Sequence, residues 1–500
     1  MASNRQVDMT LIIAKIAFMW QETTTYYVPS EQPLDFTLPY NHQQVLVVGE
    51  PIEKRQNVGN TLHSITSIHK PGCQWCSSSE GGIFNEDPDL RLASQKVFEF
   101  AVSQVNKRQQ EIEFLAVSAT AMDVVETAEK SHELVISSNT SSAGVIGLFL
   151  VTDQASSDMG ASLCERLGIP VIHPLPELSF LHKKNQAKGN QQTMAMHIHP
   201  DVRTLSSALL HFVRAYQWGD IVVLYKGTEG LDRIKSVLNA GFLQFGLHEK
   251  IEIIFWPMAD MQRALKDLRY GHSYQHILVD IKTEDIADFL KAAHKIGMLT
   301  SYQHYMFTSL DLGALSLDKT YTSGGVNITG YRLLDEESAK SQEVLKNWIA
   351  FNNGSSGREI FEAHHALMVD SVNIYSQTVL DYYAEKQSLT PLQTNLSSDD
   401  GFWESGPILL DRLYNVSYEG LTGDIKLVRG KRLDFALELI EYDNLGNVQV
   451  VGNWNVADGL DIANSENRRR EEIQRDLKNK TLRVVVKLVS VFIFVSLLTN

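Results

Sequence analysis

Short apolar runs alternate with longer amphipathic stretches along most of this chain, and that alternation restricts the fold more than any other feature. Residues 144–151 are almost continuously apolar; residues 156–167 then repeat at helical spacing, stop at Gly168, and Pro170 opens the next run. An apolar run of this length reads as a strand covered on both faces, and glycine just past a helix supplies the left-handed residue that ends it. Leu92, Val97, Phe100, Ala101 and Val105 mark an earlier helix, and residues 121–134 another. Further along, helices are expected over 205–216, 231–240, 283–296 (closed by Gly297), 336–351 and 361–383, with strands over 221–225 and 276–280. Strand and helix in turn imply α/β architecture with parallel sheets between helical layers.

The clearest extended pattern lies late in the chain. Residues 418–427 read Tyr-Glu-Gly-Leu-Thr-Gly-Asp-Ile-Lys-Leu, a glycine-punctuated turn running into alternating residues. Leu433, Phe435, Leu437 and Leu439 then fall on every second position with Asp434 and Glu438 between them, which predicts one half-buried strand. Residues 443–447 tolerate positive φ, and Val448, Val450, Val451 and Trp454 form the return strand of a hairpin. Such a pair can edge many α/β or all-β domains, so alone it says nothing of function.

Composition removes several functional classes. At 43% hydrophobic and 21% charged residues, the 500-residue chain is ordinary globular protein, and its net charge of -15 opposes phosphate backbones and anionic membrane surfaces. Nucleic acid is therefore not an expected partner. Three cysteines do not make a disulfide framework: Cys73 and Cys76 form a lone Cys-x-x-Cys without the second pair a structural zinc needs, and Cys164 is expected to be a buried free thiol. There is no nucleophile elbow, phosphate loop, dinucleotide fingerprint or His-Glu-x-x-His, so no catalytic residue, cofactor or metal is expected. His197 and His199 share one side of a strand and could hold a metal, but polar residues at a strand end are the simpler account. His364 and His365, adjacent on a helix, are expected to point in different directions.

Several quoted stretches have a common likeness. Besides Tyr418 to Gly423 and the Gly452-Asn453-Trp454 and Gly459-Leu460 steps, they include Gly81-Gly82-Ile83-Phe84, residues 162–172, His199-Pro200-Asp201, residues 297–312, residues 325–332 and residues 366–372. Taken in order, they resemble the amino-terminal domain of kainate-type ionotropic glutamate receptors, which has the bilobed fold of type I periplasmic binding proteins. The resemblance implies two doubly wound, parallel-sheet lobes joined by three crossings. Its expected bounds are an irregular extension over 1–80, lobe 1 over 81–198, lobe 2 over 199–332, a return to lobe 1 over 333–405, a final lobe 2 hairpin over 406–462, and a charged linker and apolar tail over 463–500. The strand that should precede Gly81 reads as missing or degraded, because Ser77, Ser78, Ser79 and Glu80 stand there.

The same resemblance supplies functional expectations. Pairing with glutamate receptor subunits, as a homo- or heterodimer, would use the lobe 1 helices at 121–134 and 156–167. The family's disulfide between the second helix and a later loop would join positions held here by Ser131 and Thr394, so a cross-link worth roughly 2–4 kcal/mol is missing. Ser156 and Ser157 at a helix start are candidates to line the cleft, where free N–H groups suit a carboxylate, with simple N-capping as the alternative. Thr308 and Asp311 are further cleft candidates. The agonist of the family binds a separate, later domain, so no small-molecule ligand is assigned; an amino-acid-binding ectodomain and a soluble decoy stand as alternatives. Asn139, Asn327, Asn353, Asn395, Asn415 and Asn479 head Asn-x-Ser/Thr triplets, candidate glycosylation sites on an extracellular, postsynaptic or secreted domain.

Neither end carries a clear membrane signal. Residues 11–20 are the one leader-like run, broken by Lys15, and the extension either replaces a leader or reflects an imperfect gene assignment. Residues 484–498 would span only about 22 Å as a helix, against the about 30 Å a bilayer requires. They are read as an apolar tail of a truncated form that lacks the agonist-binding domain and pore.

Overall fold

The computed structural model describes residues 77–85, 88–109, 112–135, 145–177, 194–226, 230–242, 252–271, 274–352, 361–386 and 401–463. The chain first lays down β1 (Ser77–Asn85), α1 (Pro88–Arg108), β2 (Glu113–Ala121), α2 (Val124–Val135), β3 (Gly147–Val151), α3 (Gln154–Leu167), β4 (Val171–His173) and β5 (Ala195–Pro200). It then builds α4 (Val202–Ala215), β6 (Asp220–Tyr225), α5 (Lys235–Phe242), β7 (Glu252–Pro257), α6 (Met261–Gly271), β8 (His276–Asp280), α7 (Thr283–Ile296), β9 (His304–Phe307) and β10 (Asn327–Arg332). A return segment follows: α8 (Ala339–Phe351), α9 (Ala363–Lys386), α10 (Ser405–Tyr414), β11 (Ser417–Gly420), β12 (Gly423–Val428) and β13 (Lys431–Asp434). Last come β14 (Ala436–Tyr442), β15 (Val448–Asn455) and β16 (Gly459–Ile462).

These strands form two eight-stranded sheets, in the orders β11-β12-β13-β5-β4-β3-β1-β2 and β16-β15-β14-β10-β9-β8-β6-β7. Each is parallel in its body, and antiparallel pairs at one end carry the late strands. Sheets covered on both faces need apolar residues at successive positions, and every residue of β3 is buried. The chain passes between the halves after β5, after β10 and at Phe435, giving the bilobed, periplasmic-binding-protein-like architecture with three crossings.

Two differences from the sequence reading have clear causes. The polar Ser77-Ser78-Ser79-Glu80 stretch does form a strand: β1 pairs in parallel with β2 on one side and β3 on the other. Backbone hydrogen bonds do not depend on side-chain polarity, so a strand built into the sheet by its neighbours survives a poor composition. Leu433, Phe435, Leu437 and Leu439 do not share one strand. Asp434 ends β13 in the first sheet and Ala436 begins β14 in the second, so the alternation continues unbroken across a crossing. The expected bound at residue 406 accordingly falls within the first sheet's share of the chain, since β11 to β13 all belong there.

Aromatic contacts tie the first lobe together. Phe84, Phe98 and Phe149 contact one another in turn with tilted rings, and Phe149 meets the edge of Tyr375 from α9 at 5.9 Å. The Tyr375 hydroxyl donates to the Ile146 carbonyl at 2.6 Å, an approach possible because Gly147 has no Cβ, which would stand 2.5 Å from the ring. In the second lobe Phe289 packs edge-on against Tyr305 and Phe307, and Gly297, at φ 74°, ends α7 where the sequence places the stop.

Candidate functional site at the lobe boundary and on the first-lobe helices

The start of α3 is already occupied by a carboxylate of the chain itself. Asp153 caps the helix, accepting from the Ala155 and Ser156 N–H groups at 3.0 and 3.2 Å and from the Ser156 hydroxyl at 2.6 Å. Ser157 is buried and shares a 2.9 Å hydrogen bond with the Thr152 hydroxyl. Both serines thus serve the local turn, and the positive end of the helix dipole faces Asp153. The signal was legible: an aspartate immediately before the helical run is a preferred cap.

Thr308 and Asp311 take different roles in the second lobe. The Thr308 hydroxyl donates to Asp280 at 2.6 Å, and Asp280, almost wholly buried, is also gripped by Arg233 through Nε at 2.9 Å and Nη2 at 3.0 Å. Gly230 makes room for this pair, because a Cβ there would lie 1.6 Å from an Asp280 oxygen. Neither Arg233 nor Asp280 stands out in the sequence, since a separation of 47 positions conceals the pairing. Asp311 reaches across the lobes: its Oδ1 accepts the backbone N–H of Ala363, first residue of α9, at 2.5 Å. Burial, with Glu362 and Glu336 nearby, pushes its carboxyl up to about 6 against the opposing influence of the Ala363 bond and His364.

A second buried polar cluster sits behind the Gly-Leu-Thr-Gly turn. Asp370 of α9 accepts from the backbone of Leu421 at 2.7 Å and of Thr422 at 3.0 Å, and from the Thr422 hydroxyl at 2.8 Å. Arg432, fully buried, donates to the Thr422 hydroxyl and to the Thr422 and Asp424 carbonyls. A side chain at Gly420 would meet the Asp370 carboxylate at 2.5 Å, which explains why glycine stands there. Two stretches that look like separate sequence signatures, 366–372 and 418–423, are therefore the two halves of one contact.

Among the described residues no group of three His, Cys, Asp or Glu side chains is arranged to bind an ion. His197 stacks on His173 with centroids 4.7 Å apart, while His199 turns to the Pro200 carbonyl and is pushed down to about 4, chiefly by burial. His364 and His365 do not diverge as expected; their rings approach to 3.9 Å, and His364 pairs with Glu362 at 3.0 Å. Cys164 is the buried free thiol expected, pushed up to about 12 by burial. Cys73 and Cys76 lie outside the described residues, as do Thr394 and the triplets at Asn139, Asn353, Asn395 and Asn479. Ser131 is buried and donates to the Thr127 carbonyl at 2.7 Å within its own helix. Of the other triplet asparagines, Asn415 is exposed just after α10 and Asn327 is half-buried at the start of β10.

On the outer side of the first lobe, Met122, Val125 and Met159 are 67%, 66% and 44% exposed. Met122 lies just before α2, Val125 in its first turn and Met159 in the second turn of α3, and the two helices pack against each other; the Ser131 hydroxyl of one would touch a Cβ at Gly160 of the other.

Residues 93–444 match the model of the receptor family ligand binding region. The chain belongs to this family. Ligand-binding regions of receptors are not enzymes, in keeping with the lack of catalytic motifs. Within the family the chain is 26% identical over 415 residues to the mouse protein Glutamate receptor ionotropic, kainate 1, covering 80% of this chain and 47% of that protein. It is likewise 26% identical over 429 residues to the human kainate 1 protein, covering 80% of this chain and 45% of that one. The chain thus spans about half the length of the curated relatives it matches. No helix among the described residues is long and apolar enough to cross a membrane.

Proposed function

We propose that this chain acts as the amino-terminal recognition domain of a kainate-type glutamate receptor subunit, on the outer face of the plasma membrane, pairing with like subunits through α2 and α3. The observation that carries the proposal is the apolar trio Met122, Val125 and Met159, large side chains left in water on α3 and at the beginning of the neighbouring α2. Resemblance to kainate 1 proteins supports the choice of partner class. A small-molecule role for the cleft has less support, because Ser156, Ser157, Thr308 and Asp311 all spend their polar atoms on protein partners.

Sedimentation of the purified chain, alone and mixed with a kainate-type subunit's amino-terminal domain, tests the proposal. Association should be lost in a Met122→Glu/Val125→Glu double variant, with the fold unchanged. A wild-type chain that stays monomeric and captures no such subunit would defeat it. Calorimetry with amino acids tests the cleft: saturable heat abolished by Ser156→Ala would favour ligand binding instead.

A further inference from the structure

We propose that Asp311 is a clasp between the two lobes, and that the clasp responds to protons. The side chain stands on a second-lobe segment that is itself firmly held. Leu312, the next residue, is buried, and the Tyr442 hydroxyl of β14 lies 2.6 Å from both the Leu312 and Leu315 carbonyls. From that fixed base the Asp311 carboxylate crosses to the first N–H of α9, a helix whose packing partners are α1, α10 and β5 of the first lobe. A 24-residue helix begins with N–H groups that have no partner within it, so a carboxylate is a strong cap there. In this case the cap comes from the opposite lobe.

The surroundings make the clasp sensitive to protonation. Charged and titratable groups face Asp311 from two directions: Glu362 and His364 at the start of α9, and Glu336 on the crossing that follows β10. His364 is itself paired with Glu362. Burial first, then Glu362 and Glu336, oppose ionisation of Asp311 and outweigh the Ala363 bond and His364, which favour it; a protonated carboxyl keeps an oxygen that can accept from Ala363 and loses the repulsion. An aspartate in water titrates near 3.8, and in the clasp it is pushed up to about 6. The clasped form therefore binds its proton more tightly than an open form with Asp311 in water. Closure strengthens as pH falls through about 6 towards 4 and weakens as pH rises through about 6, by up to roughly a hundred-fold in the closure constant.

Hydrogen exchange of the α9 first-turn amides, measured on the whole chain at pH 5.0 and 7.5 and corrected for intrinsic rates, tests this. In the wild type, protection should rise at pH 5.0. Asp311→Asn, neutral but still an acceptor, should show the same protection at both values, and Asp311→Ala should lose it at both. The proposal is overturned if Asp311→Asn keeps the wild-type dependence on pH, or if a folded Asp311→Ala protects those amides as well as the wild type does. Because the readout lies away from α2 and α3, its failure and a failure of subunit pairing are distinguishable.

Discussion

Asp370, fully buried, and Asp311, half-buried, both accept backbone N–H groups from a distant part of the chain, yet they do opposite work. Asp370 receives three hydrogen bonds and faces the Arg432 guanidinium, which is bonded to the same turn. Asp311 receives one backbone bond and faces two further carboxylates. A buried charge whose neighbours complete its bonds fixes structure, whereas one left with like-charged neighbours is held near the point of changing state. The first joins a helix to a turn within one lobe; the second joins two lobes.

The contrast is broken most severely by removing the Asp370 carboxylate. Asp370→Ala removes the most influential of the carboxylates that face the buried Arg432, the others being Asp424 and Asp434, leaves two N–H groups without an acceptor, and should cost about 3–5 kcal/mol in chemical denaturation. A loss below about 1 kcal/mol would mean that the cluster does not anchor the turn to α9. Gly420→Ala pushes a methyl group into the same carboxylate and should cost about 1–3 kcal/mol, measured by the same denaturation. Asp311→Ala should be milder, about 0.5–2 kcal/mol as for other helix caps, and concentrated in the amides of the α9 first turn.

The pH dependences should diverge as well. Because folding raises the Asp311 carboxyl to about 6, its contribution favours the folded state most at low pH and declines as pH rises through that value. Asp311→Asn should remove this slope from a series of denaturation curves between pH 4 and 7, roughly, while leaving slopes from other groups in place. An unchanged slope would place the proton elsewhere.

Legibility in the sequence followed the locality of the interactions. β8 and α7 fall where periodicity places them, and α7 stops at Gly297 because a left-handed residue is a local requirement. The polar β1 and the split between β13 and β14 are not local: one strand is made by its neighbours, and the other pattern runs unbroken through an extended crossing. β7 carries no pattern strong enough to be read, since it is half-exposed along its length, whereas α6 buries Ala264, Leu265 and Leu268 at helical spacing and its signal stands in the sequence. At the candidate sites, the serines and Asp311 draw notice as polar residues at element ends; Asp153 is legible as a local cap, whereas Ala363, 52 residues from Asp311, emerges as its partner only from the folded chain. Arg233, Asp280 and Arg432 were invisible for the same reason: each matters through a residue far away in sequence or across a turn.

The passage at Phe435 has a mechanical consequence. A lone residue separates the end of β13 from the start of β14, and its ring is buried against Trp454 at 5.5 Å. At this passage, the shortest of the three, any turning of one half about the other falls on those few bonds, beside a buried aromatic pair. The late ribbon works as a torsion bar, carrying a twist imposed on either sheet straight into its neighbour.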